Sequence, residues 1–259
     1  MAMASGEKPL VYLVLGASGS GRREVLHDLI VNGLDATARP VVLLAARETE
    51  IADEAARTPE VVRWSAEHGS VSAAVPAEAT HLFFVADGYG NPADQVEAFQ
   101  SWLATSGGEL ARVICVVNCQ LAEKNPPLLA WYDACVHFAD VIFLNRREDV
   151  ANKWLSAFQA RYRDQFYPAL FEMLKGGHVK NPALILAPEA RRMTHAFDDE
   201  QEWIATGDDG ETIEDWEEGG GEEDEVTVEQ EQDPYLERLQ GGRRVRELPD
   251  IAAFLPARK

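Results

Sequence analysis

A glycine-rich segment near the amino terminus has the residue types of a phosphate-binding loop. Residues 10–26 read LVYLVLGASGSGRREVL, an apolar run followed by closely spaced glycines and a helix-compatible stretch. Glycines at such a turn let backbone N–H groups converge on an anion, which the positive end of the following helix also favours. Gly16 and Gly21 match the pattern G-x-x-x-x-G-K-[ST], whereas Arg22 and Arg23 replace its last two positions. The segment predicts a phosphate site; the alternative is a strand-to-helix turn that binds nothing.

The two arginines have different consequences for the predicted chemistry. Arg22 keeps a positive charge for the phosphates, although its planar guanidinium is bulkier than the ammonium of a lysine. Arg23 cannot replace the hydroxyl group that normally ligates Mg²⁺, because magnesium takes oxygen ligands. We therefore expect phosphate binding that does not rely on Mg²⁺, and weak or absent hydrolysis.

A second segment, HLFFVADGYGNPADQVEAF at residues 81–99, ends an apolar run in a turn. It resembles the CobW-type metallochaperone GTPases, a branch of the P-loop GTPases whose third strand ends in E-[TSC]-[TSC]-G-[LT]-A-[DN]-P. The last five positions read GYGNP here, and the family's Glu falls on Val85. The resemblance implies that Asp87 is the catalytic candidate and that Asp87 and Gly90, which form a D-x-x-G, sense the γ-phosphate. The alternative is that Asp87 is a turn residue ahead of a helix beginning at Pro92.

A third segment, FADVIFLNRREDV at residues 138–150, resembles the base-recognition segment A-D-x-x-x-L-N-K-x-D-L of the same family. Asn145 matches, while Arg146 and Glu148 stand in place of the Lys and the Asp. The resemblance implies that Asn145 contacts the edge of a guanine and that Glu148 accepts hydrogen bonds from it. Arg146 can stack on a purine. The alternative is an ordinary strand-to-helix loop.

The cysteine motif of the family is missing. CobW-type proteins carry C-x-C-C shortly before the third strand, and the corresponding residues 69–73 read GSVSA here. Serine hydroxyls and an alanine methyl do not bind Zn²⁺ as thiolates do. Cys115 and Cys119 lie on an apolar run, where thiols usually pack as small hydrophobes, and Cys135 stands apart. We therefore predict no metal site.

Apolar runs alternate with helix-compatible stretches through the first 190 residues. Each run is continuously apolar, which is typical of strands covered by helices on both faces. The order predicts βαβ units and therefore an α/β protein with a P-loop NTPase-like, three-layer fold and a mainly parallel sheet. The predicted strands are residues 10–15, 41–45, 81–85, 113–117, 141–144 and 183–186, and the predicted helices are residues 22–31, 92–103, 128–138 and 149–174.

The negative charge is concentrated in one segment. Residues 198–233 hold 18 of the 44 Asp and Glu residues and no Lys or Arg, which leaves 26 acidic against 24 basic residues elsewhere. This near-neutral body argues against a nucleic-acid surface, which needs many basic side chains. The acidic segment offers too little apolar area to offset its ordering entropy, so we expect it to be disordered. The expected organisation is a degenerate P-loop GTPase-like domain at 1–190, an acidic linker at 191–233 and a tail at 234–259 that docks on the body.

No apolar run approaches the roughly 20 residues that span a bilayer, and the first ten residues lack the apolar core of a signal peptide. We therefore expect no membrane interaction and a cytoplasmic protein with reduced thiols.

The leading hypothesis is a purine-nucleotide-binding protein, with GTP or GDP as the ligand, that hydrolyses weakly or not at all and acts as a switch or scaffold. An active GTPase is the enzymatic version and would need an atypical Mg²⁺ shell. The alternative is a non-catalytic interaction protein with an empty nucleotide site, whose acidic segment contacts a basic protein partner. The predicted nucleotide-binding residues are Gly16, Ser18, Gly19, Ser20, Gly21, Arg22, Arg23, Gly90, Asn145, Arg146 and Glu148.

Overall fold

The computed structural model describes residues 8–48, 60–67, 70–198 and 232–257, together with the backbone of residues 203–206 and 227–230. Its main sheet contains the strands β1 (Leu10–Leu15), β2 (Pro40–Ala45), β3 (Val61–Glu67), β4 (Ser70–Ser72), β5 (His81–Val85), β6 (Glu109–Asn118), β7 (Val141–Asn145) and β8 (Leu170–Met173). Their spatial order is β4-β3-β2-β5-β1-β6-β7-β8. Neighbouring strands are parallel, except that β4 is antiparallel to β3.

Helices cover both faces of this sheet. They are α1 (Arg22–Gly33), α2 (Pro92–Ser106), α3 (Cys119–Lys124), α4 (Leu129–Phe138), α5 (Asn152–Arg163) and α6 (Pro182–Leu186). Successive residues of a strand point to opposite faces, and Phe83 accordingly lies in a core with Leu29 of α1, while Phe84 packs against Phe99 and Trp102 of α2. The predicted three-layer α/β fold with a mainly parallel sheet is therefore confirmed.

The candidate site lies at the edge of the sheet where the parallel strands end. Strands β5, β1, β6 and β7 lie side by side in that order. They finish at Leu15, Val85, Asn118 and Asn145. This topology brings the three motif-bearing segments to one edge of the sheet. Ligands of open α/β sheets bind at this edge, outside the carboxyl ends of the strands.

Two of the elements predicted between residues 149 and 186 are wrong. Residues 183–186 form helix α6 rather than a strand, because Pro182 occupies the first helical turn, where its fixed φ suits a helix. The predicted helix at 149–174 ends at Arg163, and strand β8 follows within the same stretch. Pro168 lies between them and cannot donate the N–H that a continuing helix needs.

The chain divides into two compact units, Met1–Met193 with Glu247–Lys259, and Thr194–Arg246. In the second unit, strands β9 (Trp203–Thr206) and β10 (Thr227–Gln230) pair antiparallel. Most of the acidic segment for which we expect disorder lies outside the described residues. In the described part of the chain, no helix is long and apolar enough to cross a membrane.

Candidate phosphate-binding site

The loop between β1 and α1 depends on glycines at two crowded positions. Gly16 has a φ of 137° and Gly21 a φ of 91°, both in the region that residues with a β-carbon rarely adopt. A β-carbon on Gly16 would lie 2.5 Å from the carbonyl oxygen of Val116, and one on Gly21 would lie 2.3 Å from Nδ2 of Asn145. The glycine pattern therefore has a steric reason within this fold.

Residues at the ends of three strands, β5, β6 and β7, hold this loop in place. The Ser18 backbone N–H donates to the Gly88 carbonyl oxygen after β5 at 3.0 Å. Nδ2 of Asn145, at the end of β7, donates to the Ser20 carbonyl oxygen at 2.9 Å. Asn118, at the end of β6, reaches the loop more weakly, with its Nδ2 3.5 Å from a carbonyl oxygen of the loop. The segments that carry the sequence motifs thus converge on one loop.

Helix α1 begins directly after the loop, with Gly21 as its N-cap residue. Gly21 has no side chain that could cap the backbone N–H groups of the first turn. The amino end of a helix carries a partial positive charge, and its exposed N–H groups bind anions readily. This end of α1 is therefore suited to a phosphate.

Arg22 and Arg23 share one carboxylate, that of Glu48. The buried guanidinium of Arg22 donates to Glu48 and to the carbonyl oxygen of Ala86. Arg23 Nη2 donates to Glu48 Oε2 at 2.8 Å. Burial alone would raise the pKa of the Glu48 carboxyl, but the two guanidinium charges outweigh burial and lower this pKa below its ordinary value. The arginines and Glu48 therefore form an ionised cluster at the start of α1.

A pocket of about 190 Å³ opens at this cluster. Ligand pockets of proteins usually measure about 300–1,000 Å³, so this one has room for a phosphate-sized group but not for a whole nucleotide. Four arginines and three carboxylates contribute to its wall. The lining residues are Ser18, Gly19, Gly21, Arg22, Arg23, Glu24, Arg47, Glu48, Asp87, Tyr89 and Arg146.

Asp87 has a structural role in the turn after β5. Its Oδ1 accepts a hydrogen bond from the Tyr89 backbone N–H at 3.0 Å, and its own N–H donates to Oε1 of Gln95 at 2.9 Å. Asn91 caps the following helix, since its Oδ1 accepts from the Ala93 N–H at 2.9 Å. Asp87 thus stabilises the turn and also faces the pocket.

The residues predicted to recognise a base are divided between the loop and the surface. Asn145 is buried, and its side-chain N–H₂ donates to the Ser20 carbonyl oxygen of the glycine-rich loop. Arg146 lines the pocket, and its Nη2 donates to Oε1 of Glu24 at 2.8 Å. Glu148 is exposed, and it and Gly90 do not line the pocket. Of these candidates, only Arg146 lines the pocket.

The three cysteines are buried and unpaired. Burial raises the pKa of the Cys119 thiol to about 12 and that of the Cys135 thiol well above its ordinary value. Metal binding by Cys needs the thiolate, which burial disfavours at Cys119 and Cys135. Among the described residues, which do not include Gly69 of the GSVSA run, no group of three His, Cys, Asp or Glu side chains could hold a metal ion.

The sequence motifs did not identify Glu48, although it contacts both predicted phosphate-binding arginines. Its position gave a usable signal, because Glu48 follows strand β2 by three residues and the carboxyl ends of parallel strands meet at one edge of the sheet. Tyr89 and Arg47 also line the pocket and were likewise missed.

The chain is similar to solved structures of the GTPase YjiA. For the Zn(II)-bound YjiA GTPase from E. coli, the sequence identity is 15%, the TM-score is 0.43, and the alignment covers 78% of this chain and 72% of that chain. For a Zn(II)-bound triple mutant of YjiA, the coverage and identity are the same and the TM-score is 0.42. YjiA is a CobW-family GTPase, so these neighbours come from the family that the sequence motifs resemble. No protein-family model and no curated protein sequence matches the chain.

Proposed function

We propose that this protein binds the phosphates of a purine nucleotide, GTP or GDP, at the loop from Gly16 to Gly21, and that it hydrolyses the nucleotide weakly or not at all. The observation that carries the proposal is the convergence of this loop, the amino end of α1 and the two arginines on one pocket. Backbone N–H groups at a helix start and fixed positive charges together recognise phosphate oxygens.

Arg146 supports a purine as the group beyond the phosphates. It lines the pocket, and its guanidinium pairs with Glu24 while 42% of its side chain remains exposed to solvent. A planar, weakly hydrated guanidinium can stack on an aromatic ring. The preference for guanine rests on the resemblance of the segment around Asn145 and Glu148 to the CobW-type base-recognition motif.

The residues present do not fit the Mg²⁺ ion that P-loop GTPases use. The position that normally provides a hydroxyl ligand holds Arg23, whose charge repels a cation and which contacts Glu48. The Ser20 hydroxyl is buried, and Ser20 does not line the pocket. Asp87 has one carboxylate oxygen engaged with the Tyr89 N–H. Phosphate charge is therefore balanced by arginines, and the protein acts by binding, as a switch or scaffold, rather than by turnover.

We expect nucleotide affinity to change by less than about threefold when Mg²⁺ is removed with EDTA, because Arg23 occupies the position of the hydroxyl that normally ligates Mg²⁺. Fluorescent GDP, GTP, ADP and ATP titrated with and without Mg²⁺ measure this effect. The double substitution Arg22→Lys with Arg23→Thr restores the usual residue types and should make binding depend on Mg²⁺. An affinity of the unmodified protein that collapses in EDTA would contradict the prediction.

A second candidate function is a non-catalytic interaction protein with an empty nucleotide site. It is favoured by the small pocket and by Glu48, which already pairs with both arginines. The acidic segment would then contact a basic protein partner, and the encounter would weaken at high salt. Failure of all four nucleotides to bind at high micromolar concentration would favour this function.

A further inference from the structure

Glu48 is held at the candidate phosphate site from three directions. Its backbone N–H donates to the Ala45 carbonyl oxygen at 2.9 Å. Its carbonyl oxygen accepts from Nη1 of Arg63, on β3, at 2.9 Å. Its carboxylate accepts hydrogen bonds from Arg22 and Arg23, and only 12% of its side chain is exposed. Such a carboxylate is positioned by the fold rather than by a flexible surface contact.

The contacts of this carboxylate are those that a phosphate would make. Each of its two oxygens accepts from a different arginine of the first turn of α1. An anion near the amino end of a helix is stabilised by the helix dipole. A phosphate and a carboxylate cannot share these donors, because two anions at such close distance repel each other strongly.

We propose that Glu48 is an internal occupant of the phosphate site, so that a phosphate-bearing ligand must displace its carboxylate from Arg22 and Arg23 in order to bind. This inference rests on the proposed function and deepens it. The site is then closed by the chain itself in the absence of ligand, and its ligand class is a multiply charged oxyanion, since only such an anion competes with a carboxylate already paired with two arginines.

The same arrangement accounts for the size and charge of the pocket. Glu48 lines it together with the arginines that it pairs. Moving this carboxylate away would both enlarge the pocket and leave two cationic side chains without their shared anion. Glu24 lines the same pocket but pairs with the half-exposed Arg146 instead. Removing its charge therefore tests the effect of the pocket's negative charge without removing a partner of Arg22 and Arg23.

Calorimetric titration with inorganic pyrophosphate in EDTA tests the proposal on the full-length protein. We expect Glu48→Ala to bind pyrophosphate about tenfold more tightly. This is the gain expected if the Glu48 carboxylate occupies the site in about nine-tenths of the unliganded molecules, because only the remaining tenth can then bind directly. Glu48→Gln should show a smaller gain. Glu24→Gln removes the same charge from the pocket wall but frees neither Arg22 nor Arg23, so its gain in affinity should stay well below that of Glu48→Ala.

A second measurement keeps the test decisive if Glu48→Ala fails to fold. In the unmodified protein labelled with ¹³C, the signal of the Glu48 side-chain carboxyl should shift as pyrophosphate saturates the site. Equal affinities of the unmodified protein and both Glu48 variants, or a carboxyl signal that stays fixed at saturation, overturn the proposal while leaving phosphate binding intact. Absence of pyrophosphate and nucleotide binding in every variant overturns both the proposal and the proposed function.

Discussion

Gly21→Ala should abolish nucleotide binding and destabilise the protein by about 2–4 kcal/mol, the sum of a left-handed backbone strain and a steric clash. The new β-carbon would lie 2.3 Å from Nδ2 of Asn145 and 3.3 Å from a carboxylate oxygen of Glu24. Asn145 would have to move, and it could then no longer hold the Ser20 carbonyl oxygen. The glycine-rich loop would lose a contact that fixes its shape.

Gly107→Ala is the matched control for this substitution. Gly107 has a φ of 73°, and a β-carbon there would have nothing within 4 Å. The control therefore loses only the stability that the backbone strain costs, about 1–2 kcal/mol. It should leave nucleotide affinity unchanged, because Gly107 lies at the end of α2 and does not line the pocket. Urea unfolding followed by tryptophan fluorescence, with nucleotide titration in parallel, compares the two variants. Equal loss of stability in both would show that the contact with Asn145 is unimportant.

The central five strands of the sheet were predictable because they are buried on both faces. Five of the six predicted strands lie within strands of the structure, since continuous apolar runs such as LVYLVL are typical of strands covered by helices on both faces. Strand β3, VVRWSAE, was missed because its Arg and Glu break the apolar run. It nevertheless pairs with β2 and buries Trp64 against Phe84, with ring centroids 4.8 Å apart.

The positions of the site residues were only partly predictable. The motifs identified the segments around Gly16, Asp87 and Asn145, which the fold brings to one sheet edge. They could not show that Asn145 uses its side-chain N–H₂ on the loop, or that Arg22 turns towards Glu48 and Ala86. These contacts depend on side chains that are distant in sequence, and a pattern of residue types contains no information about which partner each will find.

Asp140 also shows how a motif residue can have a structural role. It is the Asp of the A-D-x-x-x-L-N segment and is fully buried. Its Oδ2 accepts from the Val113 N–H at 2.6 Å and its Oδ1 accepts from the Arg191 N–H at 2.5 Å. Burial raises the pKa of this carboxyl although both N–H groups oppose the shift. The carboxylate therefore joins the start of β7 to β6 and to the chain that follows α6.

Asp140→Ala should destabilise the protein by about 3–5 kcal/mol, the range measured when one partner of a buried charged group is removed. The substitution leaves the Val113 and Arg191 N–H groups without their acceptor and removes a negative charge that offsets the burial of Arg112. The guanidinium of Arg112 is itself fully buried and retains Glu189 at 3.3 Å. One half-exposed carboxylate cannot replace the lost one.

Asp164→Ala makes the same change at an exposed position, where Asp164 pairs only with its neighbour Arg163 among the described contacts. It should cost less than about 0.5 kcal/mol, as is usual for surface substitutions. Urea unfolding at neutral pH gives both values. Because Asp140 lies at the opposite end of β7 from Asn145, its loss should weaken nucleotide binding only in proportion to the unfolded fraction. If Asp140→Ala is within about 1 kcal/mol of the unmodified protein in stability, the buried N–H groups find other acceptors. If the fully folded variant loses nucleotide affinity, Asp140 belongs to the site itself.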